Sequence, residues 1–257
     1  MINAVMHQLT YDNPPTYIRY PSYRKYLRLA SKYSCAYCTI TESENPGATF
    51  NIEHFRPDTL FHNLVSTCTN LRYSCPRCNS YKRDLWISVE DGCIRDCENC
   101  TAKSCKKNID RFIDVLTEDP SSMLYLGDDN KLYAFSGSRP ANYTIKYLRL
   151  NRDQLIKLRY VRKFMDSWQH DLIEQKKEAN AKLQKIKGEQ QEFLSQKYIP
   201  STRKEKILLD AMKTMYEMLA LLAEQLVSQT DEELDRLNKL IAYRAGSDSL
   251  IEGQPEN

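Results

Sequence analysis

"SCAYC" (34–38) and "SCPRCNSYK" (74–82) each carry a Cys-x-x-Cys knuckle. Four thiolates complete a tetrahedral shell around Zn2+, so Cys35, Cys38, Cys75 and Cys78 form the expected structural zinc site. The plainer alternative is that one pair is simply buried thiols. A closed four-thiolate site has no open position for chemistry, but it joins two distant segments and fixes the geometry of what lies between them. What lies between includes "IEHFRP" (52–57), where one of the four histidines of the chain follows a glutamate. "TFNIEHF" (49–55) reads as a short strand. "NLRYSCPRCNSYK" (70–82) reads as a loop into the second knuckle, followed by a helix.

Outward from this centre, the 257 residues suffice for one large domain or two small ones. Charge is nearly balanced, 37 basic against 34 acidic residues, so no global field announces a partner. Locally, Arg19, Arg24, Lys25, Arg28 and Lys32 are interleaved with tyrosines 11, 17, 20, 23, 26 and 33. Such a mixture can line a nucleic-acid groove, or it can be a Tyr-rich helix packed on the core with its charges solvated. No apolar run is long enough for a bilayer, and "MINAVMHQLTYDNPP" is no signal peptide, so a cytoplasmic protein is expected. Nine cysteines in a reducing compartment argue for metal binding rather than disulfides.

The pattern changes near residue 150. Residues 1–34 form a basic, Tyr-rich segment with a helix over 21–33 begun by Pro21. Residues 35–150 hold every cysteine, and "MLYLGDDNKLYAF" (123–135) predicts a β-hairpin. From 151 to 245 the sequence is helical. Leu155, Leu158, Val161, Phe164, Trp168 and Leu172 recur at helical spacing, predicting a helix to about residue 195 with Gly188 as a weak point. Thr202-Arg203-Lys204-Glu205 is a capping box opening a second helix, with Leu208, Ala211, Met212, Met215, Leu219, Leu222 and Leu226 as its buried stripe. Thr230-Asp231-Glu232-Glu233 predicts a third, short helix. The tail 246–257 reads as disordered. The expected fold class is α+β: a small zinc-stapled core and a mainly α-helical C-terminal hairpin or bundle. The default is an intramolecular hairpin, with homo-oligomerisation or partner docking through these helices as the alternatives.

His54, Asn70 and Asn79, in this register with the knuckles, resemble an HNH endonuclease, whose ββα-metal fold is often buttressed by four cysteines. The resemblance implies that His54 activates water and that Asn70 sets the histidine's posture. It also implies that Glu53 and Asn79 bind a catalytic divalent ion. An amide at residue 79, where the family also uses histidine, favours Mg2+ or Mn2+ there. The chemistry is coherent, because a near-neutral histidine suits water deprotonation and a metal offsets charge on phosphate. Strand alternation, however, points Glu53 and His54 to opposite faces, so a bend or other groups must bring both to one site. Arg56 and Lys82 are candidate phosphate contacts, with plain surface charge as the alternative.

Over roughly residues 20–160, "EHFRP" and "TIKYLRLN" are also similar to HNH nucleases that accompany an ATPase in Septu-type and retron antiphage systems. This implies a DNA-cutting effector, with RNA as an alternative substrate, working with an SMC-like ATPase partner. The rival readings are a non-catalytic zinc-ribbon module that binds nucleic acid and an interaction scaffold. Cys93, Cys97, Cys100 and Cys105 predict a second zinc site, with an iron–sulfur cluster as the alternative. Cys68, without an evident partner, is expected to be a small buried residue.

Overall fold

The computed structural model describes residues 6, 8–87, 108–196 and 198–245. The fold is α+β, with two small antiparallel hairpins, a four-cysteine cluster and a long C-terminal helical hairpin. The second predicted cysteine cluster and the tail lie outside the described residues. The chain divides into two compact units. One holds the described residues through Lys163 and those from Ile241 on, and the other is Phe164–Leu240.

In the first unit, Pro21 sits in a short 3-10 turn, Tyr20–Tyr23, that leads into α1, Arg24–Ala30. The helix is shorter than the expected 21–33, because Lys32 and Tyr33 take φ of 50° and 55°, which a helix cannot continue. The alternation of "TFNIEHF" yields β1, Asn51–His54. The stretch expected as a loop before the second knuckle is a strand, β2, Leu71–Ser74, buried at all four positions. β1 and β2 pair antiparallel, with Glu53 opposite Arg72 and His54 opposite Leu71. α2, Pro76–Lys82, follows at once with proline in its first turn, where no amide is needed.

The second hairpin matches its prediction. β3, Leu124–Leu126, and β4, Leu132–Ala134, pair in register and turn Leu124 and Leu132 into the core. α3, Arg139–Tyr147, packs against β4. Beyond it the Asn151 side chain bonds both backbone groups of Leu132, at 2.7 and 2.8 Å. The core of this unit also takes in Leu9, Tyr23 and Leu27 from the N-terminal segment.

α4, Asp153–Ser195, and α5, Arg203–Ala245, are 43 residues each. α5 starts on the predicted capping box: the Glu205 amide donates to Thr202 Oγ1, and the Thr202 amide donates to the Glu205 carboxylate, both at 3.2 Å. The third helix expected at Thr230 does not exist. Thr230 Oγ1 donates back to the Val227 and Leu226 carbonyls, at 2.8 and 3.2 Å, and α5 runs straight through. Within the second unit the two helices run antiparallel. Gln169 bonds Asn238, Lys176 pairs with Asp231, Lys187 pairs with Glu224, and Phe193 meets Tyr216. The seam buries Leu172, Ala179, Leu183 and Leu237. The stripe expected to be buried on α5 is exposed instead: Leu208, Met215, Leu219, Leu222 and Leu226 all face outward. No helix among the described residues is long and apolar enough to cross a membrane.

Candidate metal centre and histidine site

The first knuckle is a tight loop in which the Cys35 amide donates to the Ile40 carbonyl (2.8 Å) and the Thr39 amide to the Cys35 carbonyl (3.0 Å). An Ala36 amide bond to the Tyr73 carbonyl (2.8 Å) fastens this loop to β2. The second knuckle is the N-terminus of α2, where the Cys78 amide donates to Cys75 Sγ at 3.5 Å. These placements bring the four ligand sulfurs within 4.8 Å of one another, all buried, with Cys38 and Cys75 3.6 Å apart. Tetrahedral zinc with Zn–S of about 2.3 Å spaces its sulfurs about 3.8 Å apart, so the donor set fits one structural Zn2+.

The protonation chemistry points the same way. Burial raises the Cys35 thiol, but hydrogen bonds from Cys38, Cys75 and Cys78 outweigh it and leave Cys35 well below its ordinary value. Cys75 and Cys78 are raised in turn by bonding to Cys35 and Cys38. Thiols crowded this closely cannot all ionise without a cation among them. Cys68 stands outside the cluster, buried as expected, with its thiol pushed up to about 11 by burial.

His54 ends β1, and its side chain is only 11% exposed. Its Nε2 lies 3.0 Å from the Val65 carbonyl oxygen. A carbonyl only accepts, so Nε2 carries the hydrogen and the neutral ring keeps its lone pair on Nδ1. Nδ1 is 3.8 Å from Asp58 Oδ2, and the Tyr20 ring stands edge-on at 4.9 Å between centroids. Asn70 braces the turn that follows. Its Oδ1 accepts from the Arg56 amide (2.9 Å), and its Nδ2 donates to the carbonyls of Arg56 (3.1 Å) and Leu64 (3.3 Å). The Phe55 amide donates to the Asn70 carbonyl at 2.8 Å, so Asn70 holds three consecutive peptide groups behind the imidazole.

Glu53 is not brought to this ring. Strand alternation turns it to the other face of β1, where it is buried and accepts a short hydrogen bond from the Tyr37 hydroxyl. Lys82 Nζ, fully buried on α2, lies 2.5 Å from Glu53 Oε1, outside hydrogen-bonding alignment, and donates to the His54 carbonyl at 2.8 Å. Burial, then the charge of Glu53, holds the Tyr37 hydroxyl well above its usual range and keeps it a donor. Lys82 is therefore an internal counter-ion to Glu53 instead of a phosphate contact on the surface. Arg56, the other expected phosphate contact, is also buried, its guanidinium 5.7 Å from the Phe61 ring centre and 5.5 Å from that of Trp86. Asn79 lies half-buried in the middle of α2.

Sequence reasoning missed Tyr37, Asp58 and Val65 around this site, and named Tyr20 only as part of the Tyr-rich segment. Asp58 carried a local signal, four residues after His54. Val65 acts through its backbone and leaves no mark in the residue type. The Tyr-rich N-terminus divides: Tyr11 and Tyr23 spend their hydroxyls on the Leu71 and Ser66 carbonyls, and Tyr33 is buried, whereas Tyr17 and Tyr20 are exposed. No protein-family model, curated protein or solved structure matches this chain.

Proposed function

We propose that this chain is an endonuclease of the HNH class that hydrolyses phosphodiester bonds of DNA, with His54 as the base. The observation that carries the reading is the Nε2 bond to Val65, because it leaves Nδ1 as the nitrogen able to take a proton. Nδ1 removes a proton from water as the water oxygen bonds to phosphorus. The bond from phosphorus to the leaving sugar oxygen breaks, and that oxygen takes a proton from solvent. Asp58 stabilises the imidazolium so formed, and Asn70 keeps the turn behind His54 from shifting.

The resemblance also implies Mg2+ or Mn2+ between Glu53 and Asn79. Glu53 does not fit that ion in this arrangement, because its carboxylate is engaged by the Lys82 ammonium and the Tyr37 hydroxyl. A divalent ion reaches it only by displacing Lys82. The same pair favours a second reading, a zinc-stapled module that binds nucleic acid without cutting it. An SMC-like ATPase partner belongs to the nuclease reading, as the restraint on an activity toxic to its own cell.

The test is supercoiled plasmid incubated with wild type and His54→Ala, each with Mg2+, with Mn2+ or after brief EDTA treatment, with and without the ATPase. Nicking by wild type, reduced about 100-fold or more in His54→Ala, is expected. Equal nicking by both proteins would remove His54 as the base. Plasmid binding by both with no cleavage in any arm would replace the nuclease by the binding module.

A further inference from the structure

We infer that Arg152 is an outer-sphere partner of the zinc site, its guanidinium donating to the Cys78 sulfur so that the metal-loaded cluster holds the chain where it enters α4. Arg152 Nη2 lies 3.7 Å from Cys78 Sγ. Its Nη1 bonds the Leu148 and Arg149 carbonyls at 3.2 and 3.3 Å, tying the same side chain to the turn after α3. Its Nε is buried without a hydrogen-bond partner. A half-buried guanidinium whose buried Nε makes no bond is costly unless an anion lies beside it.

The cluster is that anion. Four thiolates around one Zn2+ leave two uncompensated negative charges, and N–H···S contacts are the usual means by which a protein offsets them.

The other knuckle is clasped from α4 itself. Arg162 bonds Thr39 Oγ1 at 3.0 Å and the Thr39 carbonyl at 2.8 Å, one residue after Cys38. Thr39 takes φ of 60°, which a β-branched residue rarely adopts, so this corner is over-determined by its partners. Two guanidinium groups, Arg152 just before α4 and Arg162 within it, thus reach both halves of the zinc site. The inference does not depend on whether the chain cuts nucleic acid.

The experiment is chelator-driven zinc release, followed with a colorimetric indicator, from wild type, R152K and R152Q. R152Q is expected to lose zinc about tenfold faster or more, the usual scale of an outer-sphere loss. R152K, which keeps the charge, is expected to stay close to wild type. Equal release from folded R152Q and wild type overturns the proposal, as does R152K losing zinc as fast as R152Q, since packing alone would then explain the effect. Where R152Q fails to fold, wild-type protein loaded with 113Cd2+ decides. A guanidinium proton showing scalar coupling to the metal through Cys78 is expected, and no such coupling overturns the contact.

Discussion

The knuckle core and the helical hairpin are held by opposite means. Between Cys35 and Lys82 the chain buries Glu53, Arg56, Asn70, Arg72 and Lys82, and it can do so only because their charges and amides have partners. Two long helices in Phe164–Leu240, by contrast, meet along one narrow seam and leave large apolar side chains on their outer faces. The first region rests on a few contacts, each expensive to lose. The second rests on a thin row of buried apolar side chains along that seam, flanked by weak surface pairs.

Metal removal should separate the two most sharply. A structural zinc contributes on the order of 10 kcal/mol to folding in small domains. Chelation of the full chain is therefore expected to strip hydrogen-exchange protection from 34–41 and 71–82 first, while peptides from 175–190 and 215–235 keep theirs. Simultaneous loss in both sets would break the comparison, because the hairpin would then owe its order to the core.

Lys82→Met tests the core without touching the metal. Removing one partner of a buried ion pair leaves the other charge uncompensated, at a cost of about 3–5 kcal/mol. The urea midpoint is expected to fall accordingly, and Glu53→Gln combined with Lys82→Met should recover much of the loss. A Lys82→Met chain as stable as wild type would mean that Glu53 has another cation at hand, and would reopen it as a metal ligand.

How much of this could be read beforehand follows the same division. The zinc site was legible because sulfur chemistry and short spacing leave few alternatives, and the 123–135 hairpin because its turn residues are specific. The opposed faces of Glu53 and His54 were legible from strand alternation alone, but the ion that meets Glu53 was not. Lys82 reaches it through the packing of α2 on β1, a contact between positions 29 residues apart that no local pattern records. The bond that fixes the His54 tautomer comes from a backbone carbonyl, which every residue type offers. On α5 the difficulty was excess rather than lack of signal. Leucine and methionine occupy more than one face, and the most hydrophobic stripe is not the one in the seam. Thr230 had the form of a cap, yet its hydroxyl bonds back into the preceding turn, a choice that only the surrounding helix decides.

That misread stripe supplies the smallest expected effect and the finest test. Leu222 is 59% exposed and Leu226 46%, so Leu222→Gln and Leu226→Gln should each change stability by no more than about 0.5 kcal/mol. Leu172→Ala, in the seam at 2% exposure, should cost about 2–5 kcal/mol. Thermal melts at two protein concentrations distinguish the cases. If either glutamine variant destabilises by as much as Leu172→Ala, and the wild-type Tm rises with concentration, a second copy covers the outer face of α5. The hairpin would then have a second seam between chains, and its stability would no longer come only from contacts within one.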